Sequence, residues 1–140
     1  MMKKIKVNRP IEEFNKNCSY RICIDNEKEI ELKNGEEKTI DIDSKSEWLT
    51  AKIHWCSSQK IQLADTINEE EFEVRGNKFL NQRLPLFGLI IPPIGFVFAL
   101  NSEYEILKHV GIGILIALLA FVIATLTIGK HKWLDIKNVN

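Results

Sequence analysis

The sequence has no excess of charge of either sign, and this argues against several classes of protein. Lys and Arg together number 19, Asp and Glu also number 19, and charged residues make up 27% of the chain. A nucleic-acid-binding domain usually has a basic excess, and an acidic disordered chain has the opposite imbalance. We therefore expect no nucleic-acid partner, and the overall composition is that of an average folded protein.

Charge is nearly missing from the C-terminal part of the chain. The first 83 residues contain 15 Lys or Arg and 16 Asp or Glu, whereas the remaining 57 contain only 4 and 3. Two runs, 84–100 and 110–129, have no charged residue. The second run has about 20 residues, which at about 1.5 Å per residue is enough to cross a hydrocarbon core about 30 Å thick. We therefore predict a membrane span there.

The first run is shorter and contains Pro92-Pro93 at its middle. Two adjacent prolines remove two amide donors and crowd the preceding turn, and carbonyl groups freed in lipid need another partner. The run either spans the membrane as a kinked helix or dips in and returns as a re-entrant loop.

The residues that flank the two runs favour the spanning alternative. Basic residues precede the first run and follow the second, and basic residues near membrane ends favour the cytoplasmic side. We predict a two-helix transmembrane hairpin over residues 81–130 in the cell membrane, with both termini cytoplasmic and the lipid bilayer as a partner. The residues expected at the membrane interface are Arg75, Lys78, Arg83, Lys130, Lys132 and Trp133.

Small residues recur four positions apart in the second run, a spacing that lets helix backbones approach closely. These positions, predicted to pack helices, are Gly113, Ala117, Ala120 and Ala124. The contact is either within the hairpin, with Gly88 and Gly95 as the facing positions, or between copies of the chain. Neither run contains an ionisable side chain, which an ion pathway usually needs.

The N-terminal region alternates apolar and polar residues and has no helical periodicity. About seven short strands, spaced by about 10 residues and separated by turn signals, indicate an antiparallel sandwich or open barrel. We predict a small all-β antiparallel sandwich over residues 1–80. Asn34-Gly35 predicts a type I′ hairpin, and residues 131–140 are expected to be a short cytoplasmic tail. The predicted core is Ile22, Ile24, Ile30, Leu32, Ile40, Ile42, Leu49, Ile53, Trp55, Ile61, Leu63 and Phe72.

Residues that could support catalysis or bind a metal are few and poorly spaced. Cys18 and Cys23 are five apart, which is not a CxxC spacing, and reduced thiols without a redox role are expected. We expect His54 and Cys56 to project from the same face of one strand, where they could ligate zinc or form a Cys/His pair, but a structural zinc site needs four ligands. The acidic run 69–73 is interpreted as the solvated face of a strand. We expect no metal, no cofactor and no enzymatic activity.

Trp48 precedes Leu49, which is assigned to the core, so Trp48 should point outward. An exposed tryptophan marks a binding patch or covers a sheet edge. Trp48 is therefore the candidate interaction residue of the soluble part.

The segment from Tyr20 to Ser58 resembles the PEGA-type β-sandwich of small bacterial membrane proteins. That family has a y-x-I-x-I-D-G strand, a hairpin with G-E, and a strand ending l-x-a-k-i-x-W-x-x-S. The matching residues here are Tyr20, Ile22, Ile24, Asp25, Gly35, Glu36, Leu49, Ala51, Lys52, Ile53, Trp55 and Ser58. The resemblance implies a non-catalytic β-domain on a membrane hairpin and supplies no catalytic residues.

Together these patterns predict a non-enzymatic integral membrane protein whose cytoplasmic β-sandwich serves protein interaction or scaffolding. The alternative is a small oligomeric transport or channel component. It would self-associate through the small-residue faces and use Thr125 and Thr127 for a polar path.

Overall fold

The computed structural model of the protein describes residues 2–63, 70–101 and 103–139. The chain divides into two compact units. The β-unit combines Met1–Asn77 with Lys130–Asn140, and the helical unit is Lys78–Gly129.

The β-unit has two sheets of mostly antiparallel strands. Within the described residues the strands are β1 (Met2–Asn8), β2 (Tyr20–Ile24), β3 (Lys28–Leu32), β4 (Glu37–Asp43), β5 (Trp48–Ile53), β6 (Cys56–Ser57), β7 (Ile61–Gln62), β8 (Glu70–Gly76) and β9 (Leu134–Asn138). One sheet has the order β4-β1-β8-β9 and the other β3-β2-β5-β6, with β7 also paired to β5. The first sheet is mixed, because β1 and β8 run parallel; the expectation of a purely antiparallel arrangement is corrected on this point.

The last residues of the chain belong to the β-unit. β9 pairs antiparallel with β8 along its whole length, from Gly76↔Leu134 to Phe72↔Asn138. Leu134 is 1% exposed. The expectation that residues 131–140 form a short tail is therefore wrong for these residues. They are too few to fold alone, but an existing sheet edge supplies their backbone hydrogen bonds.

One hydrophobic core joins the two sheets. Alternate residues of both sheets point inward, as the period of two in a strand requires. Most predicted core residues are confirmed, but Trp55 is 72% exposed because it lies in the two-residue turn between β5 and β6. The buried cluster is Ile5, Val7, Tyr20, Ile22, Ile24, Leu32, Ile40, Ile42, Leu49, Ala51, Ile53, Cys56, Leu63, Phe72, Val74 and Leu134.

The tight hairpin lies at a different turn from the predicted one. Asp25 and Asn26, between β2 and β3, both have positive φ, 50° and 61°, as the central residues of a type I′ turn do. The Glu27 amide donates to the Ile24 carbonyl at 3.0 Å. The predicted Asn34-Gly35 hairpin is wrong: it connects β3 to β4, which lie in different sheets. Gly35 alone has positive φ there, 72°, as a type II turn needs.

A buried polar network underlies the loop between β1 and β2. The Arg9 side chain is fully buried, and its guanidinium carbon lies 3.6 Å from the centre of the Tyr20 ring. Arg9 donates to the carbonyls of Asn15 at 2.8 Å, Cys18 at 2.7 Å and Leu32 at 3.2 Å. Two of these oxygens belong to a loop that has no sheet partners of its own, and the third belongs to the last residue of β3.

Glu12 provides the charge that compensates Arg9. The Arg9 Nε atom lies 3.6 Å from Glu12 Oε2, which also accepts the Tyr20 hydroxyl. The other oxygen of Glu12 accepts the Gly76 amide at 2.6 Å. Burial and donation to Glu12 raise the pKa of Tyr20, so this hydroxyl stays protonated. The network thus connects the loop to β2, β3 and the end of β8.

The helical unit consists of two long apolar helices. A π-helical turn, Phe79–Arg83, leads into α1 (Leu84–Asn101), and α2 (Glu105–Thr127) ends in a 3₁₀ turn, Ile128–Lys132. Pro92 and Pro93 lie inside α1, which continues through them. Two continuous helical stretches, Phe79–Leu100 and Glu105–Lys132, are long and apolar enough to cross a membrane, with mean hydropathies of 1.8 and 2.7.

The close contact between α1 and α2 uses different small residues from those predicted. A Cβ on Gly111 would lie 2.8 Å from the Ala99 nitrogen and 2.8 Å from the Gly95 oxygen. Gly113 has nothing within 4 Å, and Ala117 and Ala120 are also exposed. The prediction that Gly113 packs within the hairpin is therefore wrong, because Gly111 occupies the contact face. Ala124 is half-buried, and Gly95 faces α2 as expected.

Replacing Arg9 with Met should strongly destabilise the β-unit. The substitution leaves Glu12 buried without its charge partner, and removing one member of a buried pair typically costs about 3–5 kcal/mol. Unfolding of the full chain in detergent, followed by tryptophan fluorescence, measures the loss. Lys16→Met is the control, since Lys16 pairs with Glu13 on the surface and its loss should leave the midpoint unchanged. Equal midpoints for both variants would contradict the network's role.

Gly111→Ala should loosen the helical unit, whereas Gly113→Ala should not. The new Cβ at 111 meets backbone atoms of α1 that cannot rotate away, and overpacking of this kind costs about 1–3 kcal/mol. Helix unfolding in detergent, followed by circular dichroism, compares the two variants. The same substitution at both sites controls for helix propensity, so similar melting curves would contradict the assigned contact.

Candidate functional site

The residues predicted at the membrane interface lie in both units. Lys78 and Arg83 are exposed residues at the start of the helical unit, and Lys130 and Lys132 are exposed in the 3₁₀ turn. Arg75 lies on β8 and pairs with Glu73, with Nη2 2.9 Å from Oε2. The guanidinium of Arg75 therefore already has a carboxylate partner on the same strand.

Hydrogen bonds join the two points at which the chain leaves and re-enters the β-unit. The Asn77 amide donates to the Trp133 carbonyl at 2.9 Å, and the Asn77 side chain donates to the Lys132 carbonyl at 3.0 Å. The Trp133 amide donates to the Ser57 carbonyl at 3.2 Å. Trp133 is half-buried and packs against the core of the β-unit. We call this cluster, Ser57, Asn77, Lys132 and Trp133, the junction.

A polar cavity of about 310 Å³ lies beside the junction. Its lining includes Lys60, His131, Lys132 and Asp135. His131 Nδ1 lies 2.7 Å from the Ser57 hydroxyl. All of its lining residues belong to the β-unit, and His131 and Lys132 come shortly after the helical unit in the sequence.

An acidic cleft lies at the opposite end of the first sheet. On β1, Met2 pairs with Asp43 and lies three residues before Ile5. Ile5 pairs with Glu70 of the parallel strand β8, which ends six residues later at Gly76. At about 3.3 Å per residue the cleft and the junction are about 30 Å apart along the strands. The cleft has a volume of about 410 Å³ and is lined by Met2, Ile24, Asp25, Glu27, Lys28, Asp41, Ile42, Asp43 and Ser46.

Four carboxylates and one amine give the acidic cleft a net negative charge. The Lys45 amide donates to Asp43, which lowers the pKa of that carboxyl. Lys28 donates to the Asp41 carbonyl at 2.7 Å. No group of three His, Cys, Asp or Glu in the described part of the chain is arranged to hold a metal ion. The cleft therefore presents distributed negative charge over an apolar base.

Trp48 lies next to the acidic cleft through Asp25. Asp25 Oδ1 accepts the amides of Glu47 at 3.1 Å and Trp48 at 2.9 Å, and the Asp25 amide donates to the Trp48 carbonyl at 3.1 Å. The Trp48 side chain is 39% exposed, as predicted from its position before Leu49. The candidate interaction surface therefore combines the acidic cleft with Trp48.

His54 and Cys56 do not share a strand face, which corrects the prediction. His54 has φ 49° and starts the β5–β6 turn, whereas Cys56 pairs with Ile53 and is buried. The partner of His54 is instead Cys18, whose Sγ atom lies 3.9 Å from Nε2. Cys23, predicted to face away from the core-facing Ile22, is 1% exposed. The Sγ of Cys23 lies 3.4 Å from Glu29 Oε1.

The two threonines of α2 donate to carbonyls of their own helix. Thr125 donates to the Val122 carbonyl at 2.8 Å and Thr127 to the Ile123 carbonyl at 2.7 Å. Each hydroxyl oxygen can still accept a hydrogen bond.

The acidic run is divided between two environments. Glu70 is buried and lies 3.4 Å from Lys3, which is equally buried, whereas Glu73 pairs with Arg75 at the surface. The prediction of a solvated face is thus wrong for Glu70, because it points inward from the first position of β8. Glu69 lies outside the described residues.

Sequence reasoning missed the acidic cleft, the junction and the Cys18 contact. Asp25 lies in the β2–β3 turn and Asp41 on β4 of the other sheet, 16 positions apart, and Asn77 and Trp133 are separated by the whole hairpin. The only local signal was the cluster of turn-forming Asp residues. Comparison of the chain with family models, with curated proteins and with solved structures finds no match.

Proposed function

We propose that the chain is a non-enzymatic integral membrane protein. In this proposal α1 and α2 cross the cell membrane as a two-span hairpin and hold a cytoplasmic β-sandwich that binds another protein. The observation that carries it is the pairing of β8 with β9, the two strands that flank the hairpin.

The surfaces of the two helices support insertion into lipid. Large apolar side chains are exposed around both helices, among them Leu89 at 74%, Leu100 at 75% and Ile116 at 63%. A water-soluble protein rarely exposes apolar surface on this scale. A bilayer removes that surface from water at about 25 cal/mol per Å².

The β8–β9 pair supports an even number of membrane crossings. Gly76 and Leu134 are paired neighbours, so the chain enters and leaves the hairpin on one side of the membrane. A re-entrant α1 with a fully spanning α2 would place these two residues on opposite sides. Pro92 and Pro93 are compatible with a span, because α1 continues through both.

The distribution of basic residues supports the cytoplasmic orientation. Lys78 and Arg83 precede α1, and Lys130 and Lys132 follow α2, while the connector has Glu103 and Glu105 near Lys108. Short basic flanks stay on the cytoplasmic side. Near an anionic membrane surface each such cation contributes about 1 kcal/mol.

The acidic cleft with Trp48 is the proposed binding surface of the sandwich. It lies at the end of the first sheet away from the junction. Its negative charge favours a basic segment of a partner protein, and complementary charge speeds and directs association. Trp48 adds the exposed aromatic surface that binding hot spots favour. Likeness to the PEGA-type sandwich remains part of the same proposal and concerns β2 to β6.

Cysteine labelling tests the topology. Because Cys23 and Cys56 are buried, an impermeant maleimide should report on Cys18 alone in the native protein. Cys18 should stay unlabelled in intact cells and become labelled when the membrane is opened. Glu103→Cys in a Cys18→Ser background should show the opposite behaviour, since the connector lies on the outer side. Labelling of both positions from the same side would refute the two-span hairpin, and labelling of Cys18 in intact cells would refute the orientation.

Neutralising the acidic cleft should weaken protein binding. Glu27→Gln with Asp41→Asn removes two exposed negative charges from the acidic cleft, and should weaken capture of the partner from native membranes about tenfold. Trp48→Ala should reduce it further. Glu13→Gln with Glu31→Gln is the charge-matched control outside the cleft. If both double variants retain the same proteins in the same amounts, the cleft is not the binding surface.

A further inference from the structure

The loop before β2 and the β5–β6 turn bring a thiol and an imidazole together. Cys18 Sγ and His54 Nε2 are 3.9 Å apart, although the residues are 36 positions apart in the sequence. His54 is exposed and Cys18 is partly exposed, whereas Cys23 and Cys56 are buried. Cys18 is thus the thiol of this chain that combines solvent access with a nitrogen base.

The backbone on both sides of this contact is firmly held. The Cys18 carbonyl accepts the buried Arg9 guanidinium at 2.7 Å, and the Cys18 amide donates to the Asn15 carbonyl at 3.0 Å. The His54 carbonyl accepts Arg21 Nη2 at 3.0 Å. His54 also has φ 49°, a left-handed conformation that non-glycine residues adopt only where their surroundings impose it. The fold therefore sets the backbone positions from which the two side chains approach each other.

We propose that Cys18 and His54 form a thiol–imidazole pair, and that Cys18 is a modification site that forms a mixed disulfide with small peptide disulfides. The thiolate is the reactive form of cysteine, and the neutral imidazole is the base within reach. This role is independent of the membrane hairpin and of the acidic cleft.

The proposed reaction is thiol–disulfide exchange. His54 Nε2 takes the Cys18 proton, and the thiolate attacks one sulfur of the disulfide R–S–S–R. A bond forms between Cys18 Sγ and that sulfur as the original S–S bond breaks, and the departing thiolate takes the proton from the imidazolium. Cys18 is oxidised to the disulfide level and one half of the reagent is reduced to a thiol, so no other oxidant is needed.

A groove of about 500 Å³ beside the pair suits a reagent with charges of both signs. It is lined by Ser19, Arg21, Glu29, Ile30, Glu31 and His54. Arg21 lies on β2, Glu29 and Glu31 lie on β3, and Lys52 of β5 is 3.4 Å from Glu29. A guanidinium and carboxylates side by side can meet the carboxylates and the amine of a zwitterionic peptide such as glutathione.

The rates of modification of the three cysteines test the pair. The full chain in detergent is treated with oxidised glutathione, and separately with iodoacetamide, and each cysteine is quantified by peptide mass spectrometry. Burial raises the pKa of Cys23 and Cys56, so these two serve as slow internal references. At pH 7 we expect Cys18 to react at least about tenfold faster than either.

His54→Asn separates activation by the imidazole from simple exposure. Asn tolerates positive φ, so the turn is preserved while the base is removed. We expect the Cys18 rate to fall about tenfold at pH 7. His109→Asn is the matched control and should leave the rate unchanged.

Two results would overturn the proposal. One is a His54→Asn variant whose Cys18 reacts at the wild-type rate, since exposure alone would then explain that rate. The other is a His109→Asn variant whose Cys18 slows as much as in His54→Asn, since the loss would then not depend on the neighbouring imidazole.

Discussion

The buried pairing of Arg9 with Glu12 and Tyr20 is the interaction on which the β-unit depends. An unpaired charge in an apolar core is costly, so the loop from Arg9 to Tyr20 has to fold around the guanidinium. The carbonyls that Arg9 binds belong to that loop and to β3, and Glu12 reaches the backbone of Gly76 at the end of β8. A Cβ on Gly76 would lie 2.6 Å from Phe14, so the loop packs directly onto that strand end. The same network binds the carbonyl of Cys18, the residue whose side chain lies beside His54.

A second constraint follows from the order of the strands. β9 comes from the far side of the hairpin, yet its register with β8 makes it an integral edge of the first sheet. The sheet is therefore completed only when the chain returns from α2. This closure ties the two ends of the hairpin to one end of the β-unit and leaves the acidic cleft at the other. In the proposed function the anchor and the binding surface are thus separated along the strands.

Much of the architecture could be predicted from local patterns. The alternation in Tyr20–Ile24 and Trp48–Ile53 predicted two strands with the correct inward faces, because a period of two is a property of each strand alone. The charge-free runs predicted two long apolar helices for the same kind of reason. The turns were harder to predict. Asp25-Asn26, and not Asn34-Gly35, forms the tight hairpin turn. The reason is that β2 and β3 are neighbours in one sheet, whereas β3 and β4 lie in different sheets. Trp55 is exposed for a related reason, since the register of β5 with β6 places it in a turn.

By itself the sequence determined the division of this protein into a charged β-unit and an apolar helical hairpin, because charge and hydropathy act over neighbouring residues. Only the tertiary structure decided the partners of residues far apart in the chain. Leu134–Asn138 became a strand because β8 offered unpaired backbone groups, and Gly111 became the helix contact because it faces Gly95. Cys18 lies beside His54, and Asp25 accepts the Trp48 amide, because turns and loops that show no periodicity of their own pack together. These contacts depend on how sheets and turns are arranged in space, which no local pattern encodes.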